Sequence, residues 1–296
     1  IIGGNQPTLA TWFIDVYGGT KGAIQGFVRD IASGDPLGGA NVVGLKETDQ
    51  MMNDLDSRDV GNFVHKLFED VFRPYIGGVA QFDNIFVKNF FKMAEKEFDA
   101  SLSKKMKADS FLLHDLLFTV FERFIEKEKN RKIIKIMNLE GEYERLINIG
   151  SNDFKLKARI DRIDLINKNE LLIIDYKTGS RNIMPSKKNE NLVVKDFDRK
   201  AAKKTFKSFQ LPIYLFVLQP HYMGMGLNAA LYDIKNGELM KLWEDEKETQ
   251  KEKMLNIYLD SLRNLLKEII DPKIPFVPDE EDESICENCQ YCLMCR

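Results

Sequence analysis

The segment LLIIDYKTG places an acid and a base at the end of a strongly apolar run. Four aliphatic residues, 171–174, lead directly into Asp175, Tyr176 and Lys177, and a Thr-Gly pair follows. A short apolar run that stops at a turn is typical of a buried β-strand. Residues two apart in a strand share a face, so Asp175 and Lys177 point the same way and Tyr176 points to the opposite side. The chain must therefore fold around a buried strand that ends in a charged pair.

The segment immediately upstream has the pattern of a partner strand. Residues 154–166 end in the sequence ARIDRIDLI, and the polar turn NKNE separates them from the apolar run. A hairpin loop at residues 166–170 brings two aliphatic pairs opposite each other, Leu165 with Leu171 and Ile163 with Ile173. The same register places Asp161 opposite Asp175. The sequence therefore predicts two carboxylates that face each other on adjacent strands.

Two facing carboxylates suggest that a cation lies between them. Like charges directly opposite each other destabilise a sheet, and burial increases the cost. Carboxylate oxygens together with a backbone carbonyl suit a hard cation such as Mg²⁺ or Mn²⁺. Lys177 is then placed to stabilise negative charge that develops on a phosphate, and these groups together favour metal-assisted hydrolysis of a phosphodiester. The alternative is an ion-pair cluster at a sheet edge.

The remaining patterns predict an α/β fold with a helical N-terminal portion. Apolar residues three and four apart predict helices over 57–73, 82–104, 110–130, 203–219 and 246–270. Strands are predicted over 139–148, 154–166, 171–177 and 227–234. Residues 1–43 form a Gly-rich segment in which GFVRDIASGDPLGGANVV favours a β-hairpin and resembles small β-sandwich repeats of bacterial surface proteins. A poorly packed leader or a non-native junction is the alternative for this segment.

Composition narrows the class of protein. Hydrophobic residues make up 44% and charged residues 30%, which is typical of a soluble globular chain. No apolar stretch approaches the roughly 18 residues that a membrane span needs, and no secretory signal opens the sequence. We therefore expect a cytoplasmic protein with no membrane partner. The sequence begins at Ile1 rather than Met, which suggests a fragment of a longer chain.

A basic stretch follows the predicted strand that ends at residue 177. Residues 181–207 contain nine Lys or Arg and three Asp or Glu, although the whole chain has a formal net charge of -3. A local excess of positive charge of this kind suits the phosphates of a nucleic acid. We expect Lys203, Lys204 and Lys207 to contact substrate phosphates and the stretch to lack regular structure without DNA. The alternative is a solvated loop with incidental charge.

Four short motifs together resemble the RecB-like branch of the PD-(D/E)XK nucleases, and within it the nuclease domain of the AddB type. DYKTG with ARIDRID upstream is similar to the family's central motif, and DVGNFVHKLFE to its histidine helix. QLPIY is similar to the family's glutamine–tyrosine motif, and VGLKE to the lead-in of the histidine helix. The resemblance covers residues 44–296 as one nuclease domain. It implies a restriction-endonuclease-like core, a mixed β-sheet flanked by helices.

The resemblance also implies roles for individual residues. Catalysis is assigned to three side chains, those of Asp161, Asp175 and Lys177. An Mg²⁺ or Mn²⁺ ion is assigned to His65, Asp161, Asp175 and the carbonyl of Tyr176. Gln210 and Tyr214, which lie four apart on one helical face, are assigned to the substrate. From its place on the helix alone, His65 is also consistent with a core histidine.

Three glutamates compete for an accessory acid role on the preceding strand. Glu142 is the predicted residue, and Glu140 and Glu144 are the alternatives. Arg162 and Asp164 face away from Asp161 and are predicted to be structural.

All four cysteines lie in the last eleven residues. Cys286, Cys289, Cys292 and Cys295 are spaced for metal binding rather than for a disulfide framework. In the iron–sulfur members of the family, three such cysteines join a fourth that precedes the histidine helix, and this chain has none there. Either Cys292 completes a 4Fe–4S cluster, or the upstream part has been lost or replaced, or no cluster forms. Zinc and free thiols in a frayed tail are the alternatives.

The sequence thus predicts a metal-dependent DNA nuclease that attacks phosphodiesters with a metal-activated water. The resemblance implies an exonuclease module of a helicase–nuclease in double-strand-break repair, with DNA and a helicase domain or subunit as partners. One alternative is a catalytically silent scaffold of the same fold that binds DNA or a helicase. The other is a stand-alone nuclease of the CRISPR-adaptation type.

Overall fold

The computed structural model of the chain describes residues 13–14, 28–29, 57–105, 110–150, 152–179, 183–186 and 199–274. The cysteine tail, the VGLKE segment and most of the Gly-rich segment lie outside these ranges. The predictions made for them, and the predicted division at residue 43, therefore stay predictions. None of the helices in the described ranges is long and apolar enough to cross a membrane.

A five-stranded mixed sheet forms the centre of the molecule. A separate pair of two-residue strands, β1 (Phe13–Ile14) and β2 (Val28–Arg29), precedes it in the sequence. The strands of the central sheet lie in the order in which they occur along the chain: β3 (Lys135–Ile149), β4 (Asn152–Asn167), β5 (Glu170–Lys177), β6 (Gly226–Asp233) and β7 (Glu238–Lys241). Strands β5 and β6 are parallel, and the other neighbours are antiparallel. The predicted mixed sheet flanked by helices is confirmed.

Three helices precede the sheet, and their apolar faces cover one side of it. They are α1 (Ser57–Phe72), α2 (Asn84–Ser101) and α3 (Ser110–Lys129). Their shared core is rich in phenylalanine, and Phe68 of α1 stacks on Phe124 of α3 with 4.3 Å between ring centroids. Tyr176 and Leu172 of β5 point into this core. Aromatic packing therefore ties α1 directly to the strand that ends in Asp175.

Three further helices cover the opposite side of the sheet. Helices α4 (Arg199–Phe206) and α5 (Gln210–Leu218) connect the parallel strands β5 and β6, and α6 (Glu248–Ile270) follows β7. Their core takes the other residues of β5, including Leu171 and Ile173. Strand β5 is therefore buried on both faces, as its continuous apolar run predicts.

The predicted hairpin register of β4 and β5 is confirmed. Leu165 pairs with Leu171, and Ile163 pairs with Ile173. Aliphatic contact between the strands fixes this register, because a slip of one residue would turn every side chain to the wrong face.

Two predictions about elements are wrong in part, and one strand was not predicted. The helix predicted over 203–219 is two helices, α4 and α5, and Lys207 between them has a φ of 61° that no helix continues through. Residues 199–206 form a helix because Ala202 and Phe206 bury one side of it, so this part of the basic stretch is regular. Strand β7 was not predicted, since its four residues are too few to show an alternation.

Candidate active site

Asp161 in the middle of β4 and Asp175 near the end of β5 meet at the candidate site. The backbone pairing between these two strands stops at Arg162 and Ile174. Beyond that point the side chain of Asp161 takes the place of a backbone acceptor, because its Oδ2 accepts a hydrogen bond of 2.7 Å from the amide N–H of Tyr176. Asp161 and Asp175 are both buried, with 7% and 3% of their surfaces exposed. Two carboxylates thus lie on neighbouring strands where water has little access.

Helix α1 brings His65 to the first of two side-chain clusters. Its Nδ1 lies 3.4 Å from Oε1 of Glu140 and 3.3 Å from Oδ1 of Asp161. Burial alone would lower the pKa of His65, but hydrogen bonds with Asp161 and Glu140 and their charges outweigh it and raise the pKa to about 10. Positive charge is therefore stabilised between the two carboxylates. We call His65, Glu140 and Asp161 the cation cluster.

Glu140, and not Glu142, is the acid of β3 that reaches this cluster. Glu140 has a φ of 49°, in the left-handed region, which costs a residue with a side chain about 1–3 kcal/mol and often marks a functional site. Its Oε2 also accepts a hydrogen bond of 2.7 Å from Arg159. Glu142 and Glu144 are exposed, and Glu144 pairs with Lys155. The accessory position predicted for Glu142 is therefore corrected to Glu140.

Gly141, which follows Glu140 in β3, lies where a side chain would not fit. A Cβ on Gly141 would lie 2.6 Å from Nδ2 of Asn138 and 2.7 Å from the ring of Tyr143, so a larger residue would displace both. Gly141 is adjacent to Glu140 and to Glu142 alike, so the sequence does not distinguish the two acids.

The second cluster surrounds Asp175 and joins β5 to helix α5. Oδ1 of Asp175 accepts hydrogen bonds from Gln210 Nε2 at 2.7 Å and from the Tyr214 hydroxyl at 3.0 Å. Its Oδ2 lies 2.7 Å from Nζ of Lys177, which also donates to Gln210 Oε1 at 3.0 Å. Burial and the nearby charge of Asp161 raise the pKa of Asp175, against the opposing effect of Lys177. We call Asp175, Lys177, Gln210 and Tyr214 the lysine cluster.

The structure therefore distributes the predicted metal ligands over two clusters. His65 and Asp161 lie together as predicted, but the third residue beside them is Glu140. Asp175 instead belongs to the lysine cluster. Its Oδ1 accepts hydrogen bonds from two side chains of α5, and its Oδ2 lies beside the Lys177 ammonium group. Gln210 and Tyr214, predicted to contact the substrate, hold Asp175 in place. The Tyr176 N–H bond to Asp161 connects the two clusters.

The cation cluster has the chemistry to hold a divalent metal ion. One imidazole nitrogen and two carboxylate oxygens lie within 4.8 Å of one another. Carboxylate oxygens suit Mg²⁺ and Mn²⁺. A cleft of about 440 Å³ opens beside the cluster between α1 and the strands β3 and β4. Its wall carries three cationic residues that the sequence did not identify: Arg58, Lys66 and Arg159.

The predicted phosphate contacts lie close to the lysine cluster in the sequence. Lys203, Lys204 and Lys207 are exposed, and α5 begins three residues after the last of them. Phe206 packs on Tyr258 of α6 with 5.0 Å between ring centroids, which fixes α4 against the body of the protein. The four cysteines, Cys286 to Cys295, lie outside the described residues.

Comparison with known proteins identifies relatives of this chain. A model of the PD-(D/E)XK nuclease superfamily matches residues 40–296. An uncharacterized protein of Rickettsia felis is 29% identical over 169 residues, which is 51% of this chain and 17% of that protein. A Lactococcus lactis protein named as a subunit of an ATP-dependent helicase/deoxyribonuclease is 22% identical over 185 residues, 60% of this chain and 15% of that protein. The matched region is thus less than a fifth of either relative.

Among solved structures, the crystal structure of SSO0001 is similar over 64% of this chain and 70% of that one. The sequence identity is 20% and the TM-score is 0.26.

Proposed function

The chain belongs to the PD-(D/E)XK nuclease superfamily, and on that premise we propose that it is a divalent-metal-dependent deoxyribonuclease, the exonuclease module of a helicase–nuclease in double-strand-break repair. The observation that carries the proposal is the pair of side-chain clusters around Asp161 of β4 and Asp175 of β5. One cluster stabilises positive charge between carboxylates, and the other holds a lysine beside a buried aspartate. Superfamily membership supports nuclease activity in general.

The cation cluster is the proposed metal site. His65, Glu140 and Asp161 would hold Mg²⁺ or Mn²⁺. Asp175 and the Tyr176 carbonyl, on the neighbouring strand β5, are further candidate ligands. A bound ion of this kind supplies Lewis-acid activation of a phosphodiester and of water. The protein's own contribution is to keep two carboxylates fixed and dry, so that little reorganisation is needed when a cation and a phosphate arrive.

Lys177 is the residue that we expect to stabilise charge on the phosphate. Its ammonium group is oriented by Oδ2 of Asp175 at 2.7 Å and by Oε1 of Gln210 at 3.0 Å. Two partners restrict a long and flexible side chain to one position, which is the requirement for a preorganised electrostatic contact. Asp161, Asp175 and Lys177 are therefore the proposed catalytic groups, and Gln210 and Tyr214 are positioning residues.

The proposed substrate is DNA bound mainly through its phosphates. Cationic residues stand on both sides of the two clusters, those of α4 on one side and Arg58, Lys66 and Arg159 of the cleft on the other. Contacts of Lys and Arg with phosphates fix the position of a strand without reading its sequence. A nuclease that degrades strands of any sequence requires binding of this kind.

The helicase partner is proposed from one relative. The matching segment of the Lactococcus lactis protein is a small part of a chain that is named as belonging to a helicase/deoxyribonuclease. On the ground of that name we propose a helicase domain or subunit as the partner of this chain.

A cleavage assay with defined ends tests the proposal. The purified protein is incubated with single- and double-stranded DNA labelled at either end, in Mg²⁺, in Mn²⁺ and in a chelator. We expect stepwise shortening with either metal, none in the chelator, and none for Asp175→Asn or Lys177→Met. Glu142→Gln is the matched control, because Glu142 lies two residues from Glu140 but is exposed, and it should cut normally.

Failure of the wild-type protein to cut any of these DNAs with either metal, with a helicase partner also supplied, would overturn the proposed activity. Cleavage of circular single strands as fast as linear ones would instead identify an endonuclease and overturn only the exonuclease assignment.

A further inference from the structure

A closed ring of four charged side chains lies buried behind the candidate active site. Arg162 donates to Glu128 at 2.9 Å and to Asp164 at 2.7 Å. Arg131 donates to the other oxygen of each of these two acids, in both cases at 2.7 Å. The side chains of Arg162, Glu128 and Asp164 are fully buried, and that of Arg131 is 12% exposed. We call these four residues the ionic ring.

Stability alone does not explain why the chain keeps this ring. Burying four charges costs several kcal/mol of hydration for each ion, and well-packed apolar replacements of such groups are often neutral or stabilising. The ring is also incompletely satisfied: within the described part of the chain, Nη2 of Arg162 is buried and has no hydrogen-bond partner. A buried network with an unpaired donor is more expensive than an apolar core, so its position in the molecule is the more informative property.

That position is directly behind the two clusters. Arg162 follows Asp161 in β4, and its Nη1 donates to the hydroxyl of Tyr176 at 3.3 Å. Tyr176 follows Asp175 in β5, and its backbone N–H donates to Asp161 at 2.7 Å. Tyr176 thus contacts the ionic ring with its side chain and the cation cluster with its backbone.

The same residues also contact the helix that carries His65. The guanidinium group of Arg162 lies 4.7 Å from the ring centroid of Phe72, and the ring of Tyr176 packs edge-on against Phe68 at 4.9 Å. Both phenylalanines belong to α1, as does His65, whose ring is 6.1 Å from that of Tyr176. The ionic ring therefore contacts every element that supplies the cation cluster, because Arg162 and Asp164 also pair in the sheet with Leu139 and Ile136 of β3.

We propose that the ionic ring is a positioning device for the cation cluster: it fixes Tyr176, whose backbone N–H in turn fixes Asp161 beside Glu140 and His65. The inference rests on the proposed function, because the cluster is taken to be a metal site. Arg162, Glu128, Arg131 and Asp164 touch neither metal nor substrate. They act through Tyr176 and through the packing of α1.

Two sets of variants test the role. The first replaces the ring with apolar residues of similar size, Glu128→Leu, Arg131→Leu, Arg162→Met and Asp164→Leu together, so that no single charge is left buried and unpaired. The second is Tyr176→Phe, which removes only the hydroxyl that contacts Arg162. Leu255→Ala is the control, because Leu255 is buried in the core on the other face of the sheet and its loss lowers stability without touching the ring.

Three measurements are made on each protein: Mn²⁺ affinity without DNA, hydrogen exchange of the peptide that covers residues 171–179, and kcat and KM for DNA. We expect the apolar ring to weaken Mn²⁺ binding at least tenfold, to speed exchange at Tyr176 and to lower kcat, while KM stays within twofold of wild type. Tyr176→Phe should weaken Mn²⁺ binding by about threefold. Leu255→Ala should lower the melting temperature and leave Mn²⁺ affinity unchanged.

A folded apolar-ring variant with wild-type Mn²⁺ affinity and wild-type exchange would overturn the inference. If that variant does not fold, Tyr176→Phe decides, and unchanged Mn²⁺ affinity in that protein overturns the inference in the same way. The proposed function is judged separately, by whether the wild-type protein cuts DNA.

Discussion

The two side-chain clusters hold their acids in different ways. In the cation cluster, Glu140 and Asp161 share one imidazole, and the group opens onto a cleft of about 440 Å³. In the lysine cluster, one carboxylate receives two donors from α5 and lies beside an ammonium group. The first arrangement groups one imidazole nitrogen with two carboxylate oxygens, and the second fixes the orientation of the Lys177 ammonium group. Two acids on neighbouring strands can therefore take separate tasks, because different helices supply their partners.

The largest effect is expected from breaking the cation cluster. Asp161→Asn removes a charge from the proposed metal site and also weakens the link to Tyr176, and a chelator removes the ion itself. Because a bound metal contributes several kcal/mol of transition-state stabilisation, we expect a loss of about 10³-fold or more in kcat for either change. Single-turnover cleavage with saturating Mn²⁺ measures it. A residual rate near that of wild type would show that the cluster is not the metal site.

A smaller effect is expected from breaking the lysine cluster at its helix. Gln210→Ala deletes one of the two α5 donors to Asp175 and also the amide oxygen that accepts from Lys177, while it leaves the cation cluster intact. A hydrogen bond to a charged group is worth about 1.5–3 kcal/mol, so kcat should fall about 10- to 100-fold. Mn²⁺ affinity should stay unchanged, and calorimetry on the same protein checks this. Equal losses in metal affinity and in kcat would contradict the separation of the two clusters.

The basic residues beside the lysine cluster should affect binding rather than chemistry. If Lys203, Lys204 and Lys207 all contact phosphate, their joint replacement by Gln should flatten the log–log salt dependence of DNA affinity by about two to three units. Binding is titrated in Ca²⁺, which should permit binding without cleavage. Gln210→Ala should leave the salt dependence unchanged.

A matched control for the lysine variant lies on α2. Lys88, Lys92 and Lys96 are exposed on a helix that packs against α1, and replacing them by Gln removes the same charge. Equal flattening in both triple variants would mean that the effect is one of net charge, and the assigned DNA path along α4 would be wrong.

The smallest effect concerns a second histidine between acids, His114, which lies on the surface of α3. Its Nε2 is 3.0 Å from Glu95 and its Nδ1 is 3.2 Å from Asp115. Burial lowers the pKa of His114, but the hydrogen bonds with Asp115 and Glu95 dominate and raise it. A folded-state pKa above the unfolded value means that the protonated form stabilises the fold below about pH 6.5 and that this stabilisation is lost as pH rises through the folded-state pKa.

His114→Gln should therefore lower the melting temperature in mildly acidic buffer and have little effect in alkaline buffer, as scanning calorimetry at several pH values can show. The difference should be small because both acids are well exposed and solvent screens the interaction. A difference that grows with rising pH would have the wrong sign and would contradict the assignment.

Much of the frame of the site could be predicted from local sequence. The two-residue period of a strand predicted that Asp175 and Lys177 share a face opposite to Tyr176, and the aliphatic pairs of the hairpin predicted its register. The spacing of apolar residues in α1 predicted a helix that ends within one residue of the observed one. These properties depend on residues a few positions apart, for which period and covalent connection leave few alternatives.

Other parts of the site depended on contacts between distant segments. Glu140 and Glu142 have the same chemistry in sequence, and the left-handed backbone of Glu140, with a φ of 49°, accompanies its position beside His65. Gln210 meets Asp175 across 35 positions of the chain, and this contact makes it a hydrogen-bond partner of an acid. No local period encodes either fact.

The sequence by itself therefore determined the family, the mixed sheet and the pair of strands that carries Asp161, Asp175 and Lys177, because strand period and motif order are local properties. The tertiary structure alone decided that Glu140 joins His65, that α5 orients Asp175, and that Arg131 and Glu128 close an ionic ring with Arg162 and Asp164. The physical reason is that a side chain's role follows from the partners that folding brings within about 3 Å of it, and those partners come from segments whose distance in space no local pattern records.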